Sequence, residues 1–171
     1  MKIIGYQIII FLFVLWGCSQ KNSPSKDVAL KIIGENGVFR EIEWEDKSEK
    51  IIEKESAKLI FDDEFGLAFE DSIPQYGKLS IEYFYSDSTS NEIISIVCNI
   101  HCQDETQCIQ LCESLNEVYV ERWGASSGVF GSTHFFNEKQ YTHLEILLFK
   151  TEKRIILNYG KGKKNNYNKT S

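Results

Sequence analysis

Residues 78–102 read KLSIEYFYSDSTSNEIISIVCNIHC, and this stretch decides the fold. Its first part, 78–85, alternates apolar with polar residues and is rich in aromatic and β-branched side chains, which fit the pleated, half-buried surface of a strand. SDSTSN (86–91) is a polar turn, and 93–102 alternates again. Two such runs joined by a short turn form a hairpin, so antiparallel pairing is expected here. Asp104 then caps a helix predicted over 104–123, which stops at Gly124. Along it Cys108, Leu111, Cys112, Leu115, Val118 and Tyr119 recur at helical spacing and make one apolar stripe. The stripe needs a surface to cover, and Cys98 with Ile94, Ile96 and Ile100 on the hairpin's inward face supplies one.

Working outward, strands are predicted at 129–136, 141–149 and 154–159. Upstream, 28–33 reads as a short strand and 39–44 as extended chain. Asp46, with Glu49 three residues on, predicts a capping box opening a helix over 46–60. Residues 61–74 read as irregular, with 67–69 as a short edge strand. Helix followed by antiparallel strands thus occurs twice. The expectation is an α+β fold: two α-β-β-type units forming one antiparallel sheet, with two helices packed on one face.

The chain opens with Lys2 and then 14 nearly all-apolar residues, Ile3 to Trp16. That is shorter than the roughly 20 residues of a membrane span and matches the apolar core of a signal peptide. The run Leu15-Trp16-Gly17-Cys18 closing it resembles a bacterial lipoprotein signal, with Cys18 as first mature residue and lipid attachment site. The resemblance implies three acyl chains, a stable tether where one chain alone is marginal. Ser19 and Gln20 follow, with no Asp to hold the protein at an inner membrane. The implied location is the cell envelope, lipid-anchored, at the outer membrane in a cell with two. The expected organisation is a leader over 1–17, lipidated Cys and flexible spacer over 18–27, one α+β domain over 28–160 and a disordered basic tail over 161–171.

Lys and Arg number 19 against 25 Asp and Glu, a net charge of −6, and loss of Lys2 with the leader makes it −7. An acidic domain argues against nucleic acid as a partner, which demands a basic patch. The one basic exception is the tail with Lys161, Lys163 and Lys164. The mature domain holds Cys98, Cys102, Cys108 and Cys112, whose spacing lacks the CxxC pairs of a structural zinc site. Packed thiols and disulfides both fit, and Cys102 with Cys108 is the pair a strand-to-helix turn brings closest.

No set of catalytic residues stands out, and no cofactor is expected. A symmetric turn at 137–140 pairs Phe136 with Tyr141 and His134 with His143, placing both imidazoles on one face. Two exposed histidines there read first as surface and second as metal ligands. The acidic run Asp62-Asp63-Glu64 lacks the ligand order of a calcium loop, and Glu55 reads as a partly buried structural carboxylate. Tyr83, Tyr85, Phe136, Tyr141, His134 and His143 make up the candidate binding face, on the side of the sheet away from the helices.

Phe39-Arg40-Glu41-Ile42-Glu43-Trp44, with Ser48, Ile51, Glu55 and the later Trp123-Gly124, resembles a pattern in small exported bacterial lipoproteins of uncharacterised function. The doubled order is similar in outline to the β-lactamase-inhibitory protein and to the small lipoprotein of the outer-membrane assembly machinery. The resemblance implies a fold and carries no activity. The expected function is therefore a non-enzymatic, membrane-tethered lipoprotein that binds an envelope or incoming protein. An immunity or inhibitor lipoprotein is the alternative, and a metal-dependent hydrolase the second.

Overall fold

The alternating runs become strands, and their parity decides which side of one large sheet is buried. The computed structural model describes residues 26–86, 92–129 and 131–162. Cys18, the leader, most of the spacer and the tail lysines Lys163 and Lys164 lie outside the described residues. In chain order the elements are α1 (Lys26–Ile33), α2 (Ser48–Lys54), β1 (Lys58–Asp63), β2 (Gly66–Ile73), β3 (Gly77–Tyr85), β4 (Ile93–Cys102), α3 (Glu105–Trp123), β5 (Ser127–Val129), β6 (Ser132–Asn137), β7 (Thr142–Phe149) and β8 (Arg154–Lys161). The strands form one eight-stranded sheet in the order β1-β2-β3-β4-β8-β7-β6-β5, and every pairing is antiparallel. The fold class is α+β. Each of α2 and α3 is followed by four strands rather than the two of an α-β-β unit, and the two meanders join where β4 pairs with β8.

One face of the sheet is apolar from β2 to β6. Tyr83 lies beside Ile96, then Tyr159, Leu144 and Phe135. The next row is Ile81, Cys98, Leu157 and Ile146, and all these side chains are buried. α3 lies over this face as expected, with Cys108, Leu111, Cys112, Leu115, Val118 and Tyr119 all buried. Asp104 accepts a hydrogen bond from the Gln107 amide at 2.8 Å, and Gly124 ends the helix at φ 88°. α1 packs on α3, and Ile51 of α2 joins the same core, so the helices share one face.

Several upstream expectations are corrected. Residues 28–33 belong to α1: Ala29, Ile32 and Ile33 are buried at helical spacing, and Asp27 and Lys31 suit the two ends of its dipole. Residues 39–44 are a tight turn closed by a Phe39–Ile42 bridge, with Arg40 and Glu41 left-handed at φ 49° and 65°. The helix predicted to reach residue 60 ends at Lys54, because Lys58–Asp63 pairs with β2. Asp46 does not cap it. The carboxylate instead accepts from the Glu43 amide at 3.1 Å and from Lys54 at 2.9 Å. Residues 61–74 are a β-hairpin, and β1, not 67–69, is the sheet's edge. Asp63 builds its turn, accepting from the amides of Phe65 and Gly66 at 2.8 and 3.1 Å. A bulge beside Tyr85 turns Ile94 outward and gives its buried place to Ile93.

Candidate functional site

The residues of opposite parity make the other face, on which none of the described helices lies. The strand registers arrange them in bands. Across β3, β4 and β8 run Lys78, His101 and Arg154, a basic band in an acidic protein. Arg154 also lies 4.7 Å over the ring of Phe149, its neighbour on β7. Ser80, Asn99, Ile156 and Leu147 form a second band. Glu82, Val97, Asn158, Glu145 and His134 form a third, with carboxylates towards both ends. Phe84, Ser95, Gly160, His143 and Phe136 form the last, at the margin where β8 ends. Gly66 makes the β2–β3 contact possible there, since a Cβ on it would stand 2.0 Å from the Tyr83 carbonyl oxygen.

The expected binding residues divide between the two faces. Tyr83 and Tyr85 are 0% and 7% exposed, under the helices, so they are not part of the open face. Their parity was right as a pair, but the face they share is the buried one, and Phe84 takes the open side. Phe136 is 52% exposed and Tyr141 37%, and both remain candidates. The expected register is corrected by two residues: Phe136 pairs with His143, and His134 with Glu145. Tyr141 belongs to the turn, left-handed at φ 49°, and not to the ladder.

His134 and His143 still meet, diagonally, with His134 Nδ1 3.3 Å from His143 Nε2. Ser132 Oγ is 3.1 Å from His134 Nε2, and Glu145 Oε1 is 3.8 Å from that same nitrogen. A serine–histidine–carboxylate relay needs its two partners on opposite ring nitrogens, so this cluster cannot run one. Two imidazoles also fall short of the three or four ligands of a protein zinc site, and no third joins them among the described residues.

Beneath the sheet lies a polar cluster whose connections the sequence did not reveal. Arg40, aimed inward by its left-handed backbone, donates to Glu55 and to Asp71, each at 3.0 Å. The Tyr83 hydroxyl donates to the second Glu55 oxygen at 2.5 Å. Burial pushes the Glu55 carboxyl above its usual range, against the opposing pull of Arg40 and Tyr83. With both oxygens engaged by core side chains, Glu55 holds the structure together and presents nothing to a substrate. Trp44 donates its indole N–H to Thr142 Oγ1 at 2.8 Å, fastening the 39–47 turn to β7.

All four described cysteines are buried and unpaired. Cys102 and Cys108, the pair singled out as a possible disulfide, are free thiols that interact with each other. Burial raises the Cys112 thiol to about 11 and drives Cys98 higher still, so neither is a thiolate at neutral pH, the form that attacks electrophiles or binds metal.

Comparison with protein-family models, curated proteins and solved structures finds no match for this chain.

Proposed function

We propose that this chain is a non-enzymatic lipoprotein of the bacterial envelope, tethered through Cys18, which binds another envelope or incoming protein through the open face of its sheet. One observation carries the reading: all the buried apolar residues of the sheet lie on one side, while the other presents a banded surface of opposite charges edged by the exposed ring of Phe84. Complementary charge steers encounter and sets register, and exposed aromatics supply contact area at little entropic cost. The lipid tether supports such a role by confining the domain near its partners and raising their effective concentration.

The test is covalent capture from the native envelope by the tagged, lipidated chain and by two charge-reversed forms, Lys78→Glu with His101→Glu, and Glu82→Arg with Glu145→Arg. These side chains are exposed or half-exposed, so stability should change by only about 0.5 kcal/mol per site. A protein captured by wild type and lost at least tenfold from both variants, with unchanged thermal unfolding, supports the reading. Equal capture by all three forms moves the interface off this face.

A further inference from the structure

Lys26 and Gly162, the first and last described residues, lie at one margin of the sheet and helix layer. Lys26 forms an ion pair with Glu121 in the last turn of α3. Gly162 donates its N–H to the Tyr141 carbonyl at 2.6 Å. Both therefore leave from the margin where α3 and β8 end and β7 begins. That margin is also apolar at its surface. Val120, Phe136 and Tyr141 stand exposed there, and Trp123 is half-exposed. Trp123 and Phe136 flank an open cleft of about 710 Å³. At the opposite margin, formed by the turns around residues 75, 104 and 152, Tyr76 and Phe149 are half-exposed and none of the described large apolar side chains is fully exposed.

Tether length decides which margin the bilayer meets. Cys18 precedes Lys26 by eight residues. Eight residues span about 16 Å on average as a random coil and at most about 29 Å when fully extended. α3, with 19 residues, is itself about 28 Å long at 1.5 Å per residue. At the average coil length the anchor stays closer to the margin it leaves from than to the far end of the helix. Charges at this margin nearly balance: Lys26 meets Glu121, Lys161 faces Glu45 and Glu92, and Arg122 and Lys139 share the cleft with Glu35 and Glu138. Aromatic rings, not net charge, are what it offers, and aromatic side chains settle at the boundary between headgroups and hydrocarbon.

We propose that Val120, Trp123, Phe136 and Tyr141 rest on the surface of the bilayer that holds the Cys18 anchor. This contact rests on the lipoprotein reading and deepens it: it stands the sheet on edge, so that its open face looks along the membrane towards neighbouring proteins.

The test uses the mature, lipidated chain in phosphatidylcholine vesicles, with plain or brominated acyl chains. Of the three tryptophans, Trp16 lies in the leader and Trp44 is buried, so Trp123 is the one bromine should reach. Brominated lipid should remove about half the emission, the share of one of two mature tryptophans, and Trp123→Phe should abolish that loss. Phe136→Ser with Tyr141→Ser should weaken the quenching, and raising salt should not. Equal emission in both lipids, with Cys18 acylated by intact mass and the protein floating with the vesicles, overturns the contact while sparing the tether. An unmodified Cys18 with no flotation instead sinks the tether, and the contact with it.

Discussion

Replacing Arg40 by Met should expose how the core tolerates a buried carboxylate. The Glu55 side chain is 1% exposed, and Arg40 meets it and Asp71 through two charge-assisted hydrogen bonds of 3.0 Å. Met keeps much of the aliphatic bulk and the same left-handed backbone, so the loss isolates the guanidinium. Removing one partner of a buried pair costs about 3–5 kcal/mol, because the remaining charge stays desolvated. The cost should depend on pH. Burial already raises the Glu55 carboxyl above its ordinary value, and Arg40 opposes that rise. Without Arg40 the folded-state value climbs further. A carboxyl raised on folding favours the native state below its unfolded value near 4.5 and loses that advantage as pH rises through the folded value. The deficit of Arg40→Met against wild type should therefore be small near pH 4.5 and widen towards neutrality. Urea unfolding at pH 4.5 and pH 7.5 measures both. The double variant Arg40→Met with Glu55→Gln should recover much of the loss at pH 7.5, since Tyr83 can still donate to the amide oxygen. A deficit under about 1 kcal/mol, or one equal at both pH values, would refute this account of the cluster.

Two further outcomes are expected. Oxidation should link Cys102 to Cys108, closing a short loop worth about 2 kcal/mol, seen as a single cross-linked peptide and a higher urea midpoint than in the reduced protein; a cross-link through Cys98 or Cys112 would contradict the observed adjacency. Gly66→Ala should disrupt the β2–β3 ladder, because its Cβ meets the Tyr83 carbonyl at 2.0 Å, whereas Gly160→Ala meets nothing within 4 Å and should unfold like wild type in the same titration.

The parts legible in the sequence were those fixed by local periodicity. The β3–β4 hairpin and the whole of α3, from Asp104 to Gly124, follow from alternation, a cap and a stripe. The 26–63 region misled for identifiable reasons. Val28, Ile32 and Ile33 look like strand residues, yet α1 buries Ala29, Ile32 and Ile33 by packing on α3, a contact nothing local announces. Lys58 to Ile60 continue a good helix pattern and become a strand because β2 offers a ladder. The candidate face was half legible. Parity placed Tyr83 with Tyr85, but which side the helices cover depends on tertiary packing. The basic band was hidden because Lys78, His101 and Arg154 become neighbours only when β8 pairs with β4. His134 and His143 met despite a wrong register, since a two-residue slip preserves the face.

The place of β8 in the sheet bears on when the protein can fold. This last described strand lies at the centre, between β4 and β7, and supplies Ile155, Leu157 and Tyr159 to the core. Until it has been synthesised, β4 and β7 have no common neighbour and the two meanders cannot close. Joining β4 to β8 also spans more than fifty residues of chain, an encounter that slows folding. A nascent chain of this design cannot complete its sheet until β8 emerges. The same order leaves the edges of β4 and β7 that β8 will fill unpaired until then, the arrangement in which strand edges are open to mispairing.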